Sequence, residues 1–512
     1  MRSFLLVRLS CKYSKGKCRS MSLYSKKEYS EHHLGEGRFA KLGTALKTVS
    51  KRAAHKGGAL SPIAGSNEKP VSDYPASESN HRLFCAAKDH YPAFRVDVTE
   101  LFSRWLTGAG YRIDWLMARG GPGPSEIVIA SPEERTFVLG TGSILARMRL
   151  IGRIGLAILR GDYDIVQARD RSTSSILFLL LAKLAGRPFV YWMSFPMLEG
   201  TLGRARDPRE AIPTWRRLAM RAYVMVGRPV LYHVVLQAAD HVFAQSVRMK
   251  AALIQRGVAA QKITPVPMGV SVDRFNPSNI APTDDQRLGG RKVLLYMGTS
   301  SPLRRIDVIV RALGAVVRTG HDAVLVLLGD TRPTDRDSLL GIAREEEVAD
   351  RLIFTGHLPL AQALGYVRRA DVCLSPCPSD PLLAVGTPTK LVEYLAMGRP
   401  VVANDHPDQR EVLEASGAGL ITDLSSEGFA EAIALLLSDK IAAEFMAVRG
   451  PPWVAAHRSY AVLAELVSSV YSELIRVHGD ARRSVHDLSR RRGGAPDTRR
   501  ARVPPFREPA GS

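Results

Sequence analysis

Cysteine is scarce in this 512-residue chain: Cys11, Cys18, Cys85, Cys373 and Cys377 are all there are, and no spacing pairs them into a framework. That excludes a disulfide-stapled secreted domain and suits a reducing compartment. Cys373 and Cys377 lack a second cysteine pair and have only His357 and His406 nearby in sequence, so no metal site is expected. No apolar run reaches the roughly 18–20 residues of a membrane span. The nearest, Ala222–Leu236, is interrupted by Arg228 and Pro229. The amino end, MRSFLLVRLSCKYSKGK, has an apolar run too short for a signal-peptide core. A dinucleotide fingerprint is missing as well: VLGTGSILA (138–146) has a G-x-G but no third glycine and no acid at the expected offset. No short-period repeat is visible. These absences predict a cytoplasmic protein, with peripheral contact at the inner membrane face as its one membrane option.

Positive charge is abundant, at a formal +21, but unevenly placed. Residues 1–80 hold fifteen Lys and Arg against six Asp and Glu, and residues 476–512 hold ten against four. Only +6 is left for the centre, so a nucleic-acid partner is not expected. The ends read as a disordered basic extension (1–80) and a disordered Arg-rich tail (476–512).

Between them, short apolar runs alternate with helical patterns. RLFCAA (82–87), YRIDWLM (111–117), a strand near 126–130, DIVQAR (164–169), PFVYWMS (188–194) and HVFAQS (241–246) form one block. KVLLYMG (292–298), DAVLVLLGD (322–330), RLIFTG (351–356), DVCLSP (371–376), RPVVAND (399–405) and GLITD (419–423) form another. Strands separated by helices make parallel β-α-β units. The expected fold is therefore α/β: two doubly wound Rossmann-like domains, 81–275 and 291–450, joined by a linker at 276–290 and facing a central cleft. A helical segment, 451–475, follows. In such sheets ligands bind at the carboxyl ends of the strands.

GTPTKLVEYLAMGRPVVAND (386–405) carries the chemistry. Thr387 is suited to cap a helix, Pro388 to its first position and Gly398 to its end. The helix follows DVCLSP, so its amino end and unpaired N–H groups point into the cleft and form an anion site. Lys390 in the first turn is unfavourable unless an anion lies beside it. Lys390 and Glu393 share a face, fitting a phosphate and sugar hydroxyls respectively; a surface ion pair on an amphipathic helix is the plain alternative. In YMGTSSPLRRIDVIVRAL (296–313), Gly298 allows close backbone approach, and Arg304 and Arg305 offer guanidinium forks to phosphate.

These stretches resemble the retaining family-four glycosyltransferases of GT-B fold (glycosyl transferases group 1), in the subset with a P-T-K-L-x-E-Y segment. Gly298, Arg304 and Asp307 match the family's Gly, Lys and Asp. REVLEASGAGLI (410–421) and PVPMGVSVDRFNP (265–277) match its later acidic stretch and its domain junction. Val385 stands where the first acid of its E-x7-E pair is common, Ser194 where a first-domain His is expected, and Thr299 where an Arg often stands. The resemblance implies transfer of a sugar, with retention, from a nucleotide diphosphate sugar to a glycan or lipid-linked acceptor in cell-surface polysaccharide synthesis. It implies no metal and no other cofactor. Arg304, Lys390 and Glu393 would be catalytic, and Gly298, Thr299, Arg305, Thr389, Leu391 and Glu411 would bind the donor. Arg169, Asp170 and Ser194 would face the acceptor, with a buried salt bridge as the alternative for the first two. A non-catalytic nucleotide-sugar-binding protein and an epimerase of the same fold are the rival readings.

One helix stands apart. In RMRLIGRIGLAILRG (147–161), Arg149, Arg153 and Arg160 share a face opposite Ile151, Ile154 and Ile158. Trp215, Arg216, Arg217, Arg221 and Tyr223 add a second basic, aromatic stretch. Both suit either ordinary packing or an anionic membrane surface.

Overall fold

The computed structural model describes residues 81–208 and 210–493; the expected extension 1–80 and residues 494–512 lie outside the described residues. The first sheet contains β1 (His81–Tyr91), β2 (Tyr111–Arg119), β3 (Glu126–Ser131), β4 (Glu134–Leu139), β5 (Ile165–Arg169), β6 (Phe189–Met193), β7 (His241–Ala244) and β8 (Ile263–Pro265). Their order is β3-β4-β2-β1-β5-β6-β7-β8. The second contains β9 (Lys292–Met297), β10 (Ala323–Leu328), β11 (Leu352–Gly356), β12 (Val372–Ser375), β13 (Val401–Asn404) and β14 (Gly419–Thr422), ordered β11-β10-β9-β12-β13-β14. Central strands such as AVLVLL and FVYWM are buried along their whole length, because helices cover both faces of a parallel sheet. Each sheet reverses its winding once, between β1 and β5 and between β9 and β12. A doubly wound sheet opens a ligand crevice at such a switch point.

Two departures from expectation have physical causes. The first is a hairpin: β3 runs antiparallel to β4, which itself pairs in parallel with β2. The polar start of ERTFVL hides β4 from an apolar-run reading, and the three-residue β8 is hidden by its length. The second departure is at the carboxyl end, where one helix runs from Tyr460 to Gly493, so residues 476–493 are helical rather than disordered. Tyr460, Leu463, Ala464, Val467 and Tyr471 are buried in the first domain's core, beside Phe102, Tyr111 and Trp192. The Tyr471 hydroxyl donates to Gln167 Oε1 at 2.6 Å. Arg476 then bridges Glu473 and Asp480 one turn to either side, which favours continuing the helix. The 451–475 segment is thus no separate appendage, since its second half closes the first domain.

The chain crosses between the domains twice, and the crossings are pinned together. Val270 N–H donates to the Arg458 carbonyl at 2.9 Å, and Tyr460 N–H donates to the Val270 carbonyl at 3.2 Å. A Cβ on Gly269 would lie 2.8 Å from the Arg458 carbonyl oxygen, so only glycine lets the two strands of chain approach this closely.

Candidate active site

The loops leaving β1, β9 and β12, the strands beside the two switch points, meet around one cavity of about 390 Å³. Phe94, Arg95 and Asp97 come from the first domain; Arg304, Cys377, Thr389 and Lys390 come from the second. Met268, on the first crossing, forms part of the wall.

The helix Thr389–Ala396 presents its amino end there. Pro388 occupies the cap position and no side chain caps the first turn. Thr387, expected to cap, instead accepts a hydrogen bond from Met268 N–H at 3.0 Å and ties the helix start to the crossing. The first-turn N–H groups therefore keep their donors for the cavity. Lys390 is folded tightly over Gly298: a Cβ at Gly298, whose φ is +136°, would come within 2.6 Å of Lys390 Cε. Lys390 Nζ lies 5.2 Å from the centre of the Tyr296 ring. Burial, and then the nearby Arg304, lower the Lys390 pKa to about 8, with Glu393 opposing them. Burial raises the Glu393 pKa to about 7, with Lys390 opposing.

Lys390 lines the cavity and Glu393 does not, and no ion pair joins them among the described residues. Glu393 sits near Tyr460, at the edge of the first domain. Its carboxyl is held at a cost in the free protein. Glu393→Gln should therefore stabilise the protein without donor at pH 8 by roughly 1–3 kcal/mol, read from denaturant midpoints. The sign follows from linkage. The folded state binds the extra proton between about pH 4.5 and pH 7, so the wild type loses stability as pH rises through that window and the Gln variant does not. Equal stability of the two proteins at pH 8 would show that Glu393 is not desolvated.

Of the other expected donor residues, Arg304 lines the cavity, while Arg305 turns away. Arg305 adopts φ +53° and pairs with Asp307 at 3.1 Å, beside a separate 270 Å³ cavity lined by Ser300 and Ser301. Thr299 is exposed, and its carbonyl accepts from the Tyr296 hydroxyl at 3.3 Å. Leu391 is fully buried in the second domain's apolar core, so only its backbone is placed to bind. Glu411 is exposed on the helix Pro407–Ser416 and is not part of the cavity wall.

The three expected acceptor residues come together, but beneath the wall. Arg169 is completely buried, paired with Asp97 and, at 3.3 Å, with Asp89. Asp170, at φ +53°, accepts from Ser194 N–H at 2.8 Å and from the Ser194 hydroxyl. The salt-bridge alternative describes Arg169, and Asp170 holds Ser194 in place. Sequence reasoning missed the layer above them. Arg95 reaches the cavity while donating to Asp97 at 3.1 Å, and Arg169 and Arg95 hold the Asp97 carboxyl down at about 2 despite its burial. The available signal was HYPAFRVD, a Pro-containing loop at the carboxyl end of the first strand. Val385, which replaces an acid, packs into the first domain's core and accepts from the Ser246 hydroxyl at 2.6 Å.

Two family models match the chain: Glycosyltransferase Family 4 over residues 97–274 and Glycosyl transferases group 1 over residues 291–439. Together they take in well over half of it, one domain each. The chain belongs to the group 1 glycosyltransferases of GT-B fold. A curated relative is the GDP-mannose-dependent alpha-(1-6)-phosphatidylinositol monomannoside mannosyltransferase of Mycobacterium tuberculosis. It is 30% identical over 205 residues, covering 39% of this chain and 53% of that protein. The D-inositol 3-phosphate glycosyltransferase of Nocardia farcinica is 26% identical over 268 residues, covering 50% of this chain and 57% of that one. The matches thus span little more than half the length of these relatives. Among solved structures, sucrose-phosphate synthase from Thermosynechococcus elongatus aligns with a TM-score of 0.54 at 17% identity, over 78% of this chain and all of that one. Anabaena HepE in complex with UDP aligns with a TM-score of 0.54 at 15% identity, over 77% of this chain and 100% of that one. The group 1 match falls on the second domain, which carries two of the cavity's cations, Arg304 and Lys390, while Arg95 comes from the first.

Proposed function

We propose that this protein transfers a sugar, with retention, from a nucleotide diphosphate sugar to a glycan or lipid-linked acceptor hydroxyl, in the synthesis of a cell-surface polysaccharide or glycolipid. The observation that carries this reading is the pair of second-domain cations in the cavity, Arg304 and Lys390. Neither has an acidic ion-pair partner among the described residues, and both flank an uncapped helix start. A half-buried lysine whose pKa is pushed down by desolvation and by a neighbouring arginine is stabilised once an anion arrives. A diphosphate supplies that anion, and its charge rises as the bond from the sugar's anomeric carbon to the phosphate oxygen breaks. Fixed cations and N–H dipoles aimed at that oxygen favour the transition state over the ground state. The acceptor oxygen bonds to the same carbon, and its proton passes to the departing phosphate. No metal ion is needed in this scheme, so chelators should leave turnover unchanged. UDP-glucose in a complex of HepE and GDP-mannose in the mycobacterial relative's name are donors of this chemical class.

The deciding experiment measures nucleotide release from a panel of UDP-, GDP- and ADP-sugars, with and without candidate lipid-linked acceptors. One donor should release nucleotide slowly in water and much faster with an acceptor, and domain closure accounts for the low hydrolysis. Tight donor binding with no release under any condition would overturn the enzymatic reading in favour of a binding module.

A further inference from the structure

The outer helices of the first domain carry more apolar surface than the fold uses. In the helix Ile144–Arg160, Leu150, Ile154 and Ile158 face the core and complete its packing. Leu150 takes the inward place expected of Ile151, and a second set of apolar side chains remains outside. Ile144, Met148, Leu184, Trp215 and Met225 are between 64 and 78% exposed. They lie on three helices, Ile144–Arg160, Ser175–Leu184 and Thr214–Pro229. The first two touch where a Cβ on Gly155 would sit 3.5 Å from Leu181 Cδ1. Residues Val230–Val235, which continue the third helix, pack on the second, so the three form one layer.

The charges on this layer have one sign. None of the three helices contains an Asp or Glu, while the first and third carry four arginines each. Arg147, Arg149, Arg153, Arg160, Arg216 and Arg221 are all exposed, and none has an acidic partner among the described residues. Two acids on neighbouring elements are already engaged: Asp240 with Lys183 at 2.7 Å, and Glu199 with Arg256 at 3.2 Å and Arg228 at 3.5 Å. A soluble surface with this many exposed arginines ordinarily mixes in acids, and exposed apolar patches of this kind mark a binding surface. Exposed apolar side chains interleaved with unpaired arginines match the boundary of an anionic bilayer, where acyl chains take the first and lipid phosphates the second.

We infer that this three-helix layer docks the protein on an anionic lipid surface. Placement supports that occupant. The helices Ile144–Arg160 and Ser175–Leu184 begin just after the carboxyl ends of β4 and β5, the edge of the sheet that borders the cavity. Ile144, Leu145 and Met148 thus stand at the cleft end of the layer, where a lipid-borne head group leaves the bilayer. The placement argument rests on the proposed lipid-linked acceptor, whereas docking itself requires no turnover and is tested without it.

The test is flotation of the full chain with vesicles of phosphatidylcholine alone or mixed with phosphatidylglycerol, at low and high salt. Wild type should float only with the anionic vesicles. Combined Arg147→Glu, Arg149→Glu and Arg153→Glu should weaken binding at least about tenfold, since each cation near an anionic surface contributes about 1 kcal/mol. Combined Ile144→Ser, Leu145→Ser and Met148→Ser should abolish the fraction that resists salt. All six side chains are exposed, so both variants should melt like the wild type, which separates lost docking from lost folding. Failure of wild type to float at low salt overturns the proposal. So does flotation that both variants retain, which would place it in the basic ends. Self-association of the wild type that the variants lose, without flotation, would assign the layer to a second copy instead.

Discussion

Lys390→Ala is expected to lower kcat/KM by about 10²–10³-fold, the usual loss when one fixed donor to a developing negative charge is removed. Isothermal titration with the free nucleoside diphosphate should show a smaller loss, roughly 1.5–3 kcal/mol for a charged hydrogen bond. The difference between the two measures the part of the interaction made only as the bond breaks. The pH dependence provides a second signature. With its pKa lowered to about 8 in the free protein, Lys390 is charged below that value and neutral above it. Nucleotide affinity in the wild type should fall as pH rises from 8 towards 10, and in Lys390→Ala that slope should vanish. If nucleotide affinity and turnover both survive Lys390→Ala, the cavity is not the donor site.

Arg169→Ala is expected to cost roughly 3–5 kcal/mol of stability, as removal of one partner of a buried ion pair does. Arg169 is fully buried between Asp97 and Asp89 and stacks 5.6 Å from the Trp192 ring centre and 5.8 Å from that of Phe102. Arg95, which also holds Asp97, keeps the loss from being greater. The pH profile identifies the cause. Asp97 has a folded pKa of about 2, below its ordinary 3.8, so the pair stabilises above about pH 4 and its contribution is lost as pH falls towards 2. The gap between wild type and variant should therefore narrow in acid. An acceptor-binding Arg169 would behave otherwise: melting would be unchanged and the acceptor KM would rise.

The two largest effects thus fall on residues that sequence reading treated alike. Lys390 was legible because a cation in the first turn of an apolar helix conflicts with the helix dipole, and that conflict calls for an anion. Arg169 gave no such signal. A charged residue ending an apolar strand looks the same whether it faces solvent or is covered, and here it is covered by the loop Phe94–Asp97, seventy residues earlier. The two sheets were readable because buried parallel strands are continuous apolar runs; β4 was not, since it opens on Glu134 and Arg135, nor was the helix past residue 475, whose charged, apolar-poor sequence reads as a solvated tail. Val385 shows the same limit. Against a motif it is a missing acid, whereas in the fold it is a buried contact between the two domains, where an unpaired carboxylate would be costly.

The closure of the first domain by residues 460–471 orders events during synthesis. The face formed by the helix Asp97–Leu106, β1 and β2 leaves the ribosome early, but the helix that covers it is made only after the whole second domain. The first domain cannot reach its final packing as its own residues emerge. A protein cut before Tyr460 would lose more than a tail: it would uncover Tyr111 and Phe243, whose rings pack on Tyr471.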